Sequence, residues 1–593
     1  MILQKLNDYY ERLATDPDHE IAPFGYSVQK MSFCAVVPLQ GNSVQFRSLV
    51  SVVSNGRAIS QTLVVPGQSK PPGVGVNPCF LWDNAAYMLG YRADDPKPER
   101  TRQQFEAFRD RHLSLESAIG DPHFSAVCRF LEWWQPEHVA EHPELAEITQ
   151  SFGCFRIQGE IGYVHQRPAV REWWGQQDSA EDSRRGICLV SGKQRTIARL
   201  HSPKIKGVKG AQPAGGAIVS FNLDAFDSYG MQQSFNSPVS EQATFQYATA
   251  LNLLLSDPSR TVMLGDATTI FWTESPTQAE TYFPSIFSGP PLASNEAEDA
   301  ELKTQLAAFF KRLAQGKQDD LAHSIEDATT PFYVLGLSPN AARVSIRYWL
   351  VSTVGQVSEH LTRYVNEVEL VNSPDPTPPT VRQLLRETAR DTKDIPPVLA
   401  GSFMHAILTG GPYPLAFYQA ILRRIRAEQL IDKDFRKDWI RGLHRRIAAI
   451  KAVLVRNFKK EISVGLDTTR PEPAYHLGRW FALLEKIQRD AQGENLNTTI
   501  KDRFFTAASS TPASVFPRLI SLSQHHLNSI ESKGLRISRE KLVQEIASRL
   551  QGFPNHMNLE DQGLFHLGYY HQVQDLYTKK SASKSIPSAA ESE

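Results

Sequence analysis

The stretch PFYVLGLSPNAARVSIRYWL, residues 331–350, decides the fold, because it is where β-structure stops. Two apolar, β-branched runs flank Ser338-Pro339-Asn340, which predicts a hairpin turning at those three residues. On the second strand Arg343, Ser345 and Arg347 share one face and Val344, Ile346 and Tyr348 the other, since strand side chains alternate. Beyond it, a proline-rich linker at 372–380 leads into a chain that reads as helix nearly to its end. Before it, strand patterns at 31–38, 58–65, 154–157, 186–190, 217–221 and 261–272 alternate with helical ones at 1–14, about 98–148 and 240–255. Ser240 is placed to cap the last of these helices, with Glu241 in its first turn. The expected fold is α+β and multi-domain, a mixed α/β N-terminal body with a C-terminal helical bundle. The expected domains are 1–200 (α+β, with a glycine loop), 201–371 (α+β, with a basic Gly/Lys loop and the hairpin), 372–578 (helical) and a disordered tail, 579–593.

A chain of 593 residues with 41% hydrophobic and 22% charged residues is an ordinary globular composition, with material for several cores. Lys+Arg and Asp+Glu both number 64, so only the distribution of charge is informative. Five cysteines (Cys34, Cys79, Cys128, Cys154 and Cys188) include no C-x-x-C pair, which argues against a disulfide framework or a cysteine zinc site and fits a reducing cytoplasm. The N-terminal MILQKLNDYYERLA reads as an acid-bearing amphipathic helix and not as a signal peptide, and no apolar run is long enough to span a membrane.

Three stretches carry the charge and the glycine that a polyanion site needs. In HSPKIKGVKGAQPAGGAIVSFNLDAFDSYGMQQSFNS (201–237), Lys204, Lys206 and Lys209 alternate with glycines. Glycine lets backbone approach a ligand closely and lysine brings mobile positive charge, which suits gripping phosphates without reading bases; the plainer alternative is a solvated surface loop. In SKPPGVGVNPCFLWDNAAYMLG (69–90), Gly73 and Gly75 bracket Val74 in a slim tip, Lys70 stands at its base, Asn77 can bond base edges or cap the next turn, and Phe80, Leu81 and Trp82 anchor it. The alternative there is a tight β–α connection. Residues 421–460 hold thirteen Lys/Arg against four acids, an excess that calls for a solvated face or a polyanion.

Catalytic signatures are sparse. His138, Glu141 and His142 match H-x-x-E-H, the pattern of a zinc-dependent hydrolase, but Pro143 pushes His142 out of the helical region where ligand geometry matters. There is no phosphate-binding G-x-x-x-x-G-K-[ST] and no G-x-S-x-G elbow, and the adjacent His525 and His526 cannot share a helix face. The sequence argues for a binding protein without catalytic residue, metal or cofactor.

Long blocks carry a resemblance: MILQKLNDYYERLA, GVGVNPCFLWDNAAYMLG, KGVKGAQPAGGAIVSFNLDAFDSYGMQQSFNSPVS, LGLSPNAARVSIRYW, AYHLGRWFALLEKIQRDAQGENLNTTIKDRFFTAASSTPASVFPRL and EDQGLFHLGYYHQ, in that order from Met1 to Gln572. The chain resembles the large subunit of the type I-C CRISPR surveillance complex (Cascade), Dvulg subtype. It departs from some members in having only Cys188 where they carry a C-x-x-C, and Val74 where relatives can be polar. The resemblance implies a non-catalytic subunit that checks the protospacer-adjacent motif in double-stranded DNA, aids duplex opening, supports the displaced strand and recruits a helicase-nuclease. Its partners would be the guide RNA (crRNA) complex, the CRISPR backbone subunits and a small subunit made by internal translation of the same gene, here starting near 453–464, with Val453, Val455 and Val464 as candidates. On these matched blocks the loop at 67–78 (Lys70, Gly73, Val74, Gly75, Asn77) is expected to read the motif. Lys204, Lys206 and Lys209, with Gln212 and Asn222, are expected to grip phosphates, as are Arg343 and Arg347.

Overall fold

A computed structural model describes residues 1–16, 21–52, 58–67, 75–148, 152–176, 184–264, 266–277, 279–288, 328–375, 377–427, 436–493 and 498–577. The expected tail at 579–593 lies outside them. The chain divides into two compact units, Met1–Ile205 with Ala217–Leu253, and Lys206–Gly216 with Leu254–Glu593.

The first unit is built on β1 (Tyr26–Val37), β2 (Gln45–Ser48), β3 (Val50–Val52), β4 (Ala58–Pro66), β5 (Trp82–Asn84) and β6 (Phe152–Ile157). They form one sheet of order β3-β4-β1-β6-β5, with β2 also on β1; only the β1/β6 pairing there is parallel. The continuous apolar run of β1 follows from burial on both faces. Phe33, Ala35 and Val37 enter one core with Phe155 and Ile157 of β6, whereas Cys34 and Val36 enter another with Cys154. The helix Ile2–Thr15 buries Leu6, Tyr9, Tyr10 and Leu13, one stripe at helical spacing. The expected strand at 186–190 is shorter, β7 (Arg185–Ile187) paired with β8 (Gln194–Thr196). Residues 217–221 form no strand; they are half-buried, and their β-branched composition has no ladder to join. The expected helix is Glu241–Ser256, and Ser240 Oγ accepts from the Ala243 N–H at 3.2 Å.

In the second unit β9 (Thr261–Leu264), β10 (Ala267–Thr273), β11 (Pro331–Asn340) and β12 (Arg343–Thr353) make an antiparallel sheet of order β12-β11-β10-β9. The hairpin turns later than expected. Asn340 pairs with Arg343 and the chain reverses at Ala341-Ala342, with Ala341 at φ +51°, a two-residue loop matched to strand twist. The register also shifts: Leu337 faces Ile346 but Gly336 faces Tyr348, which leaves Arg347 as an extra residue. This bulge breaks the expected alternation of Arg343, Ser345 and Arg347, and Ile346 is exposed although Val344 is buried.

Phe332 and Val334 of β11 share one core with the helices Val354–Val368, Pro397–Thr409, Leu415–Ala427, Arg436–Arg456, Pro473–Gln492 and Leu559–Tyr577. The last two cross at Gly478 and Gly568: a Cβ on Gly478 would lie 2.0 Å from the Phe565 carbonyl oxygen, and one on Gly568 2.1 Å from that of Tyr475. The basic run at 421–460 meets neither of the two expected fates alone. Arg445 pairs with Asp375 at 2.9 Å, Arg446 with Glu387 at 2.8 Å and Arg456 with Glu367 at 2.8 Å. Buried Lys451 donates to the carbonyls of Asn366 and Glu369, and burial pushes its ammonium down to about 8 against the pull of Glu369 and Glu367. Acids on upstream segments absorb much of the local excess.

Candidate nucleic-acid interface

Of the expected motif-reading residues, Lys70, Gly73 and Val74 lie outside the described residues, and Gly75 and Asn77 are exposed. Both ends of this loop are fixed in the first unit. At its start, Gly67 N–H donates to the Gly25 carbonyl at 2.7 Å and Trp82 Nε1–H to the Pro66 carbonyl at 2.6 Å. At its end, Asn77 N–H donates to the Tyr87 hydroxyl, the Arg111 guanidinium donates to the Pro78 carbonyl, and Cys79 N–H donates to Asp83 Oδ2 at 2.9 Å. Phe80, Leu81 and Trp82 are all buried, so the anchor expected from sequence is present. Asn77 Nδ2 lies 3.2 Å from where a Cβ on Gly75 would stand, so the two positions are coupled.

The anchor holds an uncommon backbone conformation. Leu81 has φ +62°, which costs of order 1–3 kcal/mol for a non-glycine residue and persists only where neighbours enforce it. Here the enforcer is His112, whose Nε2 accepts from Leu81 N–H at 2.9 Å while its Nδ1–H donates to the Phe108 carbonyl at 2.7 Å. Its ring stacks on Phe80 at 5.6 Å, and burial pushes its pKa down to about 3, which keeps it neutral and able to accept. Sequence reasoning missed this histidine, 31 residues from its partner and without any local signal.

The basic Gly/Lys loop is divided between the units. In the first, His201 is buried and hydrogen-bonds the Tyr247 hydroxyl at 2.7 Å, Asn252 Nδ2 donates to the Lys204 carbonyl, and the Lys204 side chain stands exposed between buried His201 and Ile205. Asn222 is exposed in the same unit. In the second, Lys206, Lys209 and Gln212 are exposed, and the loop lies against the tip of the β11–β12 hairpin. Lys209 N–H donates to Thr268 Oγ1 at 3.1 Å, and a Cβ on Gly210 would touch Pro339 at 3.4 Å. Gly216 faces Arg343 and Val344 so closely that a Cβ would come within 3.1 Å of the Arg343 carbonyl carbon. The structure thus brings the Lys209–Gly216 stretch, with Lys209 and Gln212, to the tip that carries Arg343, while Lys206 adjoins Gly207, which packs on Leu255. Arg347 lies further along β12 and is already paired with Asp266 at 2.7 Å.

His138, Glu141 and His142 sit on and after a 3-10 turn, Pro136–Glu141, so the histidines lack the α-helical i, i+4 relation. His138 Nδ1 accepts from Gln135 N–H and its ring stacks on Trp133 at 4.7 Å, while His142 pairs with Glu144 at 3.1 Å. Among the described residues no three His, Cys, Asp or Glu side chains are grouped to hold a metal. All five cysteines are buried and none is in a disulfide, and no described helix is long and apolar enough to cross a membrane.

Compared with known families, residues 6–577 match the family described as CRISPR-associated protein (Cas_Csd1), and the chain belongs to that family. It is a large subunit of a type I-C CRISPR surveillance complex, assembled with crRNA and other CRISPR-associated subunits. No curated protein matches the chain.

Proposed function

We propose that this subunit reads the protospacer-adjacent motif in double-stranded DNA through the loop at 67–78, aids duplex opening and R-loop stabilisation, and recruits the helicase-nuclease in the cytoplasm without itself catalysing a reaction. The observation that supports it is the fixed frame of that loop. Both ends are tied into a buried core, Leu81 is held in a strained conformation by His112, and exposed Gly75 and Asn77 project from that frame. A rigid support is what a base-reading tip requires, since hydrogen-bond discrimination is lost when the reading group is free to adjust. Lys204, Lys206, Lys209, Gln212, Asn222 and Arg343 would supply phosphate contacts, which add salt-sensitive affinity and little sequence preference. The small subunit would arise by internal translation from within 453–464.

The test is binding of the guide-loaded complex, with and without this subunit, to target duplexes carrying permuted flanking trinucleotides. Loss of motif discrimination without the subunit, and in the Gly75→Ala/Asn77→Ala variant, supports the reading. Unchanged discrimination moves motif reading to the backbone subunits and leaves this chain as a scaffold for RNA and protein.

A further inference from the structure

Beside the foot of the 67–78 loop the first unit contains a cavity of about 130 Å³. Its floor is His165, 1% exposed, and Tyr26, 7% exposed; Val64, Ile21 and Pro23 form apolar walls, and exposed Arg171 stands at the rim. Neither ring nitrogen of His165 has a well-aligned hydrogen-bond partner, and neither has the Tyr26 hydroxyl, although the Val64 backbone and the Arg171 side chain lie nearby. A buried polar group without a well-made hydrogen bond costs about 1–3 kcal/mol, and His165 and Tyr26 bring such groups to one cavity, which points to an occupant that bonds them. Burial keeps the imidazole neutral, with its pKa pushed down to about 4, so it offers one donor and one acceptor.

The chemistry of the lining selects the occupant. Neutral donors and acceptors on an apolar-walled floor match the edge and faces of a heterocyclic base, and a single guanidinium at the rim matches one phosphate. A simple anion would find its only formal charge outside the cavity. The position agrees: Gly25, next to Tyr26, accepts from Gly67 N–H at 2.7 Å and from Trp174 Nε1–H at 2.9 Å, so cavity and loop share one support. We propose that this pocket receives a single unpaired nucleotide of the DNA engaged by the loop, its base on His165 and Tyr26 and its phosphate at Arg171. The proposal rests on the DNA-reading role of that loop.

The experiment places 2-aminopurine at successive positions flanking the motif in target duplexes and follows its fluorescence on binding to the guide-loaded complex. One position is expected to brighten as the base leaves the stack, and Tyr26→Phe and Arg171→Gln, which remove a hydroxyl and a rim charge, should each reduce that response about 3- to 10-fold, as loss of one hydrogen bond to the bound group implies. Motif discrimination set by Gly75 and Asn77 should survive in both variants. In parallel, the four deoxynucleoside 5′-monophosphates are titrated into the full-length chain by saturation-transfer NMR, alone and in competition with excess inorganic phosphate. This arm separates a free nucleotide from one within a strand and stands even if the loop proves not to read DNA. Contact with the monophosphates that Tyr26→Phe weakens supports the pocket. No brightening position, a response in both variants equal to that of the unmodified chain, or a monophosphate signal that is absent or that inorganic phosphate abolishes overturns it.

Discussion

Gly478 and Gly568 face each other's helices reciprocally: the α-carbon of each lies where any side chain would run into the other helix's backbone, at the Phe565 and Tyr475 carbonyls. Alanine ordinarily favours a helix interior over glycine by about 1 kcal/mol. Here the opposing contacts are backbone and cannot swing aside, so overpacking at about 1–3 kcal/mol or more prevails. Gly478→Ala and Gly568→Ala should each lower the thermal midpoint of the full chain, and an unchanged or raised midpoint would show that the helices separate without penalty.

Glu367 is the hub of a second buried relationship. Its Oε1 accepts from Arg456 Nε at 3.0 Å, and its Oε2 lies 2.8 Å from Arg456 Nη2 in an ion pair and also accepts from the Tyr413 hydroxyl at 2.7 Å. Glu367→Gln leaves the Arg456 charge buried without its counter-ion and should cost about 3–5 kcal/mol in denaturant unfolding. The double variant Glu367→Gln/Arg456→Met, which removes both charges, should recover a large part of the loss; additive losses in the cycle would contradict the pairing.

Different residues should fail differently in DNA binding. Lys209→Ala should weaken the complex for every duplex alike and reduce the slope of log K against log salt by about 0.9, the signature of one lost phosphate contact. Asn77→Ala should leave that slope unchanged and narrow motif discrimination by about 1–3 kcal/mol. Gly75→Ala should resemble Asn77→Ala, because the added methyl displaces the Asn77 amide. The readout is binding of the assembled complex at several salt concentrations; a Lys209 variant that alters sequence preference would reverse the assignment.

Acid should destabilise the fold before the carboxylates titrate. Burial lowers His112 and His566 to about 3, and His201, His444 and His571 to about 4, against an ordinary 6.5. The unfolded chain therefore binds more protons than the folded one between these values. The stabilisation is complete above about pH 6.5 and declines as pH falls towards 3–4, by up to about 1.4 kcal/mol per pH unit for each histidine. Urea midpoints should fall between pH 7.5 and 5.0, and a flat profile would contradict neutral burial. His112→Phe keeps an aromatic ring beside Phe80, strands the Leu81 N–H at a cost of about 1–3 kcal/mol and should flatten part of the slope.

The fold class was legible because it rests on local periodicity. The doubly buried run of β1, the helix capped by Ser240 and the hairpin before the helical region each carry their pattern within a dozen residues. What was hidden depends on partners distant in sequence. Residues 217–221 have strand composition but no ladder. Arg347 leaves its expected face because one extra residue enters β12, and no composition rule places a bulge. The charge of 421–460 could not be read as surface charge, since Asp375, Glu387 and Glu367 meet it from outside the counted window. In the candidate interface, the Phe80–Trp82 anchor was visible as an apolar triplet, whereas the support from His112 and the gathering of Lys209 and Gly216 at the hairpin tip are tertiary facts.

The ion pairs have a directionality that bears on any shorter product. Arg445, Arg446 and Arg456 look backwards along the chain for their acids, to residues 367–387. Beyond Pro473 the bridges Arg479–Glu545, Arg539–Asp490 and Arg489–Glu485 close among later residues, as does the glycine crossing. A polypeptide begun at Val453 or Val455 would carry Arg456 away from Glu367, whereas one begun at Val464 would inherit the later bridges with the tightest joint intact. The helix it leaves behind would in turn keep its own counter-ions.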